Sequence, residues 1–191
     1  KVKQNQSDFL EHLNSFRDKF EKFYSQKYFI DNIPEILNES IRYINSTGGK
    51  RIRPFLVYEC ASLFDVKFEE SIGAAIAIEM VHTYSLIHDD LPAMDDDDMR
   101  RGNETLHKKY NEAIAILSGD ALLTDSFVLL VERYKNIDIN ICIELIKLLS
   151  KSAGSAGMVG GQILDLFSNE KNNKSVNLMN EMKTGALIRC A

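Results

Sequence analysis

A shortage of helix-breaking residues constrains the fold of this chain more than any other feature. Its 191 residues include three prolines, Pro34, Pro54 and Pro92, and the ten glycines are clustered. Long stretches therefore contain no residue that ends a helix. No run of useful length alternates polar and apolar residues with the period of two that a strand needs. The sequence predicts an all-α fold.

The spacing of apolar residues predicts where the helices lie. From Phe9 to Phe23 they recur at intervals of four and three, the spacing of one helical face. Pro34 suits the first turn of a second helix, because its missing N–H needs no partner there. The predicted helices after the first are Pro34–Tyr43, Arg53–Phe64, Glu69–His88, 111–134, 138–152, 155–168 and 175–190. No linker or repeat divides them, so we expect one domain over residues 1–191.

Composition excludes several classes of protein. The chain is 45% hydrophobic and 27% charged, as globular domains are, and its net charge of -5 lacks the basic excess of a nucleic-acid-binding protein. Cys60, Cys142 and Cys190 are odd in number and far apart, which argues against both a disulfide framework and a zinc site and favours a reducing cytoplasm. The most apolar stretch, Ile72–Ile87, is short and is interrupted by Glu79 and His82, so we predict no transmembrane segment.

Acidic residues are concentrated in one short window. Six of the fourteen aspartates lie within residues 89–98, directly after the most apolar predicted helix. A carboxylate cluster in this position needs cations, and ligands that are all oxygen atoms select hard ions such as Mg²⁺.

The spacing of the aspartates indicates which of them share the ion. On a regular helix Asp89 and Asp95 would point about 120° apart. Pro92 should push the Leu91–Pro92 step out of the helix, so that Asp95 takes the place of position i+4 relative to Asp89. We predict that this pair holds Mg²⁺ with Asp90 in support, while residues 96–98 meet solvent or the neighbouring arginines.

Basic residues are concentrated too. Four of the eight arginines form two close pairs, Arg51 with Arg53 and Arg100 with Arg101, and Lys50 precedes the first pair. The guanidinium fork matches phosphate oxygens, and two glycines before Lys50 let the backbone approach an anion closely. The stretch lacks the pattern of a P-loop. A metal-bridged phosphate beside one bound by arginine indicates two phosphorylated substrates.

Taken together, these motifs resemble the trans-polyprenyl diphosphate synthases, and within them the bacterial-type farnesyl diphosphate synthases. The matching motifs occur in the family's order and span residues 48–185. They are 48–54 (GGKRIRP), 88–95 (HDDLPAMD) with 100–102 (RRG), 119–122 (GDAL), 161–166 (GQILDL) and 183–185 (KTG).

The resemblance implies a fold, a reaction and partners. The implied fold is the isoprenoid synthase fold, a helical bundle around a central cavity. Members of this family are usually homodimers, so a homodimer is expected here. An allylic diphosphate, dimethylallyl or geranyl, ionises with the help of Mg²⁺, and the double bond of isopentenyl diphosphate attacks the allylic cation. Metal and basic residues would stabilise charge on the leaving diphosphate, and an apolar cavity would keep water from the cation.

The resemblance also implies roles for individual residues. As metal ligands it implies Asp89 and Asp95. For the allylic diphosphate it implies Arg100, Lys183 and Thr184. For isopentenyl diphosphate it implies Lys50, Arg53, His82 and Arg101, with Arg51 nearby. Gln162 and Asp165 share one helical face and are expected near the reacting carbons. Tyr84 lies five residues before Asp89, roughly 7.5 Å away along the helix. Together with the small residue Ser85, it resembles the family's pattern for a C15 product.

In one respect the sequence departs from the family. After Lys151 the acidic residues are Asp165, Glu170 and Glu181, and they do not form the expected second aspartate-rich motif. We therefore expect residues 1–191 to be a truncated domain with poor turnover.

Four alternatives remain open at this stage. They are a geranylgeranyl diphosphate synthase, an inactive partner subunit of a synthase, a terpene cyclase, and a Mg²⁺- or Ca²⁺-binding helical module. The basic residues at 50–53 argue against the last two, and the acidic run has no EF-hand spacing.

Overall fold

The structure is a computed structural model that describes residues 2–27, 32–168 and 172–191, and it is almost entirely helical. The first seven helices are α1 (Val2–Lys27), α2 (Glu35–Ser46), α3 (Ile52–Ser62), α4 (Phe68–Asp89), α5 (Leu106–Lys109), α6 (Glu112–Tyr134) and α7 (Ile139–Ala153). They are followed by α8 (Met158–Phe167), α9 (Asn173–Asn180), a π-helical turn (Glu181–Gly185) and α10 (Ala186–Cys190). The all-α prediction is confirmed.

Local sequence explains where several helices begin. The side chains of Asn111, Asp138 and Asn172 accept hydrogen bonds from backbone N–H groups in the first turns of α6, α7 and α9. These bonds satisfy donors that have no partner within the helix. Pro34 directly precedes α2, as its fixed φ angle favours.

Helix α4 lies at the centre of the bundle. It packs mainly against α6 and α3. Both faces of α4 are buried, including Ile76, Met80 and Val81, whose exposed fractions are at most 1%. A helix that is apolar all round belongs in a core. The final turn of α4, which carries Asp89, is therefore held by the best-packed element of the fold.

The structure differs from the sequence prediction in three places. The helix predicted at 155–168 begins only at Met158, after a turn at residues 154–157. The helix predicted at 175–190 is three elements, because a π-helical turn interrupts it. A hairpin of two-residue strands, β1 (Met99–Arg100) and β2 (Asn103–Glu104), and the short α5 were not predicted. The strands are too short to leave a periodic pattern.

Among the described helices, α6 has the length and apolar composition of a membrane span. The stretch predicted to be the most apolar, Ile72–Ile87, lies in α4 instead. Core helices share these properties, and α6 buries Ala115, Leu122 and Leu130 in the bundle.

Candidate active site

Two adjoining cavities lie beside α4. The larger, which we call the apolar cavity, has a volume of about 410 Å³. Its polar lining residues are Arg53, His82, Tyr84, Ser85, His88, Asp89, Gln162, Lys183 and Thr184. Its apolar lining residues are Leu86, Ala93, Met94, Met158, Val159, Ile163, Leu166 and Phe167. Such a chamber suits a ligand with a charged head and a hydrocarbon tail.

The smaller cavity, which we call the cation pocket, has a volume of about 230 Å³. Its lining residues are Lys50, Arg51, Ile52, Arg53, Glu79, His82 and Arg101. Arg53 and His82 line both cavities, so the two join at these side chains. The structure therefore brings the predicted basic residues 50–53 and Arg101 together beside an apolar chamber.

The acidic pair is brought together by an irregular end of α4. The helix ends at Asp89, and residues 90–95 form turns. The Asp95 N–H donates to the carbonyl oxygen of Asp89 at 2.9 Å. With two residues inserted, this bond replaces the usual bond from i to i−4, as predicted from Pro92. The helix does not continue beyond the insertion, however, because the chain turns away instead of resuming helical geometry.

Electrostatics at Asp89 fit a bound cation. Burial raises the pKa of Asp89 to about 6, Lys183 opposes the increase, and Asp95 adds to it. Burial and the neighbouring Asp95 both disfavour the charged form of Asp89. A metal ion bound by both carboxylates would stabilise that charged form. The donors are oxygen atoms, which suit Mg²⁺.

Asp90 has a different role from the metal-supporting one that the sequence predicted. Its carboxylate is buried and accepts a hydrogen bond from Arg100 Nε to Oδ1 at 2.6 Å, and Arg100 Nη2 forms an ion pair with the same oxygen at 2.5 Å. The other oxygen, Oδ2, is buried and has no hydrogen-bond partner among the described residues. Asp97 adds a longer ion pair to the same guanidinium at 3.5 Å. Asp90 is therefore placed to orient Arg100.

The hairpin separates the two adjacent arginines. Arg101 and Gly102 form its two-residue turn and both have positive φ angles, 54° and 80°, as a type I′ turn requires. Arg100 pairs with Asp90, whereas the Arg101 guanidinium donates to the Gly48 carbonyl and lines the cation pocket. The side chains of two neighbouring residues thus point to different parts of the structure.

The cation pocket has more positive charge than the protein neutralises. Burial lowers the pKa of Arg53 and of Arg101, and the nearby Arg51 lowers that of Arg101 further. Burial and the surrounding arginines lower the pKa of His82 to about 3, so its imidazole is neutral at pH 7. The Arg53 Nε is buried without a hydrogen-bond partner in the part of the chain that the structure describes. An anion would satisfy these groups.

Arg51 is held differently from its neighbours. Its Nε donates to Glu21 and its Nη1 to Glu79, each at 2.6 Å, and its side chain is 2% exposed. The guanidinium also donates to the carbonyl of Asn45. The charge of Arg51 is therefore already paired within the protein. We assign Arg51 a structural role instead of the predicted position near a substrate.

Lys183 and Thr184 lie on the π-helical turn. Such turns change the direction of side chains within a helix and are frequent at functional sites. Lys183 Nζ lies 2.5 Å from Asp165 Oδ2, and Gly161 lets α8 approach this turn closely. Asp165 therefore positions Lys183 and is not itself among the residues that line the cavity.

Gln162, Tyr84 and Ser85 line the apolar cavity as the sequence predicted. Both polar atoms of the Gln162 amide are buried without partners among the described residues, which fits a polar ligand group in this cavity. Tyr84 is buried and packs edge-to-face on His88, with ring centroids 5.7 Å apart.

Sequence reasoning did not predict the ion pairs that orient the basic side chains, although it named Asp90 and Asp165 for other roles. Glu21 and Glu79 hold Arg51, Asp90 holds Arg100, and Asp165 holds Lys183. Gly102, which adopts a positive φ without strain, was a local signal for the turn of the hairpin. The long-range partners left no signal in one sequence, because their separation along the chain is set by the fold.

An all-α bundle in which an acidic turn and a cation pocket flank an apolar chamber defines the isoprenoid synthase class. The chain belongs to the polyprenyl synthetase family, whose model matches residues 34–191.

Individual relatives agree with this assignment. A farnesyl diphosphate synthase of Micrococcus luteus is 49% identical over 158 residues, which cover 81% of this chain and 53% of that protein. A geranylgeranyl diphosphate synthase of Cyanophora paradoxa is 44% identical over 161 residues, covering 83% and 54%. A solved geranyltransferase of Legionella pneumophila superposes with a TM-score of 0.89 at 35% identity, covering 94% of this chain and 64% of that one. The chain spans about half the length of the curated relatives it matches.

Proposed function

We propose that this protein is a prenyltransferase that joins isopentenyl diphosphate to dimethylallyl or geranyl diphosphate and forms farnesyl diphosphate. The observation that carries the proposal is the junction of the two cavities at Arg53 and His82. An allylic diphosphate would place its hydrocarbon tail in the apolar cavity, and isopentenyl diphosphate would place its diphosphate in the cation pocket. The two reacting carbons would then meet where the cavities join.

The proposed reaction breaks the allylic C–O bond, and its electron pair leaves with the diphosphate. The isopentenyl double bond then supplies the electrons of the new C–C bond, and loss of a proton restores a double bond. Mg²⁺ held by Asp89 and Asp95 would supply positive charge to the departing diphosphate. Lys183, Arg100 and Thr184 are the proposed direct contacts of the same group.

The remaining residues act by positioning and by excluding water. Arg53, Lys50 and Arg101 would hold isopentenyl diphosphate, with His82 as a neutral hydrogen-bonding group. The apolar wall, built by residues such as Ile163 and Phe167, would keep water away from an allylic cation. Tyr84 and Ser85 would limit the product to C15.

A geranylgeranyl diphosphate synthase is the nearest alternative, favoured by the relative in Cyanophora paradoxa. An inactive partner subunit is the second, favoured by the lack of a second aspartate-rich motif within residues 1–191. Product chromatography separates the first from the proposal. Recovery of activity only after addition of a complete synthase would identify the second.

We also propose that the protein forms a homodimer and resides in the cytoplasm. Helix α6 presents one exposed apolar stripe with Leu117, Val128 and Val131, which a second copy could cover. The three cysteines are free, as a reducing compartment requires.

The first experiment measures the binding of one substrate, which needs no turnover. Isopentenyl diphosphate is titrated into the protein by calorimetry, with Arg53→Gln as the test variant and Arg17→Gln, on α1 outside both cavities, as its control. Loss of one charged hydrogen-bonding group from the site should weaken binding by roughly tenfold or more. Equal affinity in the two variants would remove the proposed diphosphate site.

The second experiment identifies the reaction. The protein is incubated with isopentenyl and dimethylallyl diphosphates with and without Mg²⁺, and the prenyl products are separated by chain length. We expect a Mg²⁺-dependent C15 product. A C20 product would favour the geranylgeranyl alternative.

A further inference from the structure

A second group of potential metal ligands lies beyond Asp95. One carboxylate oxygen from each of Asp96 and Asp98 and one ring nitrogen of His107 lie within 4.8 Å of one another. The two carboxylates are exposed, whereas His107 is 7% exposed. The ring of His107 is therefore held inside the protein while its acidic neighbours face solvent.

The hydrogen bonds of Thr105 determine the state of the His107 ring. The hydroxyl of Thr105 has one proton, which it donates to the carbonyls of Asp97 at 2.7 Å and Asp98 at 3.3 Å. The same hydroxyl oxygen lies 3.2 Å from His107 Nδ1. Because the hydroxyl proton is already donated to these carbonyls, the Thr105 oxygen must accept the hydrogen bond from His107. Nδ1 of His107 therefore carries the ring proton. In the neutral ring, Nε2 then has a free lone pair.

Nothing in the described chain uses that lone pair. Nε2 of His107 is buried and has no hydrogen-bond partner there. A histidine whose Nδ1–H is fixed by a second group and whose Nε2 is bare has the arrangement of a metal ligand.

The surrounding charges leave room for a cation. Lys108 Nζ lies 2.8 Å from Asp98 Oδ1, which leaves the second oxygen of Asp98 and the whole Asp96 carboxylate to bind an ion. The two carboxylates and the one lysine have a net charge of −1. The loop itself is anchored, because the N–H groups of Asp96 and Asp97 donate to the carbonyls of Leu91 and Asp90.

We propose that Asp96, Asp98 and His107 Nε2 bind a first-row transition metal ion such as Zn²⁺, separately from the proposed Mg²⁺ pair. An imidazole nitrogen suits zinc, cobalt and their neighbours, whereas sites made of oxygen atoms alone suit Mg²⁺. The sequence argued against zinc because its cysteines lack the necessary spacing, and this site uses none of them. The ion would tie the hairpin end of the loop to α5, which bears His107.

The test uses the metal alone, without substrates. Co²⁺ is titrated into the metal-free protein in excess Mg²⁺, which occupies oxygen-only sites, and its visible absorption is followed before displacement by Zn²⁺. We expect one tight Zn²⁺ site in the wild-type protein. It should persist when Asp89 and Asp95 are both changed to Asn, and in His12→Gln, which alters an exposed histidine on α1.

Three variants should weaken the site. Thr105→Val removes the hydroxyl that orients His107, and such losses typically weaken metal binding by roughly 10–100-fold. His107→Gln and Asp96→Asn should weaken it at least as much. Should His107→Gln fail to fold by circular dichroism, the exposed Asp96→Asn still decides the question.

Three results would overturn the proposal. The first is unchanged Zn²⁺ affinity in His107→Gln or Asp96→Asn. The second is loss of the site in the Asp89 and Asp95 double variant, which would place the ion at the acidic pair. The third is the absence of Zn²⁺ binding to the wild-type protein.

Discussion

Arg51 lies between two carboxylates inside the bundle, whereas Lys50 and Arg53 on either side face the cation pocket without an acidic partner of this kind. The backbone explains the difference, because Arg51 has a left-handed φ of 51° at the start of α3. Its side chain is thereby turned inward toward Glu79. At the scale of single residues, neighbouring basic groups therefore have unlike functions.

The first prediction concerns Arg51→Met. Removing one partner from a buried ion-pair network leaves Glu79, which is 3% exposed, as an unpaired buried carboxylate. The free energy of unfolding should fall by about 3–5 kcal/mol. Urea denaturation measures it, and Lys50→Met, at an exposed position, should change it by no more than about 0.5 kcal/mol. If Arg51→Met kept its stability but no longer bound diphosphate, Arg51 would be a substrate-binding residue and not a structural one.

The second prediction concerns pH. The pKa of His82 falls from 6.5 to about 3 on folding, so between these values the unfolded chain binds a proton that the folded one does not. Stability due to this group is therefore lost as the pH falls below 6.5, by up to about 1.4 kcal/mol per pH unit. The pKa of Asp89 rises from 3.8 to about 6, which has the opposite effect between those values.

His82→Gln separates the two contributions. Without His82, the opposing effect of Asp89 remains, so the variant should gain stability relative to wild type as the pH falls from 6.5 to 4. Urea denaturation of the metal-free protein across this range measures the difference. Parallel stability curves for the two proteins would show that His82 titrates normally in the folded state.

The third prediction concerns Tyr84, whose ring is buried beside the apolar cavity. Tyr84→Ala should open the cavity and shift the product from C15 to C20 or longer. Tyr84→Phe keeps the ring and should keep the C15 product. Chromatography of the prenyl products compares them. An unchanged C15 product from Tyr84→Ala would show that the ring does not limit chain length.

At the scale of elements, irregular backbone positions the site. The end of α4, the hairpin turn at Arg101–Gly102 and the π-helical turn each interrupt regular structure and each carry proposed ligands. In a straight helix, Asp89 and Asp95 would point in different directions. A regular helix in place of the π-helical turn would also change the direction of the Lys183 side chain. The regular parts of the helices supply the rigid support.

The fourth prediction concerns Gly161, where α8 meets the π-helical turn. A Cβ at this position would lie 2.1 Å from the backbone nitrogen of Lys183, too close for either element to keep its place. Gly161→Ala should cost about 1–3 kcal/mol of stability and displace Lys183. Denaturation and geranyl diphosphate titration measure the two effects. Ser150→Ala, on the exposed surface of α7, is the control, and equal behaviour of both variants would refute the close approach.

At the scale of the whole molecule, the helices bury their shared core but leave apolar side chains of α6 at the surface. Val128 is 47% exposed on this helix. The fifth prediction is that Val128→Asp lowers the mass measured by sedimentation from that of a dimer to that of a monomer, while helicity is retained. Ile36→Asp makes the same change on α2 and should leave the dimer intact. Identical masses for both variants would place the interface elsewhere.

The sequence by itself determined the helical class, because breakers and apolar spacing are local properties. From residue chemistry, which is local too, it predicted that Asp89 and Asp95 share a metal ion and that the basic motifs bind phosphate. Only the tertiary structure decided that Arg51 is structural, that Asp90 orients Arg100 and that Thr105 leaves Nε2 of His107 bare. These roles depend on which distant groups packing brings within a few ångströms, and spacing along one chain does not encode such distances.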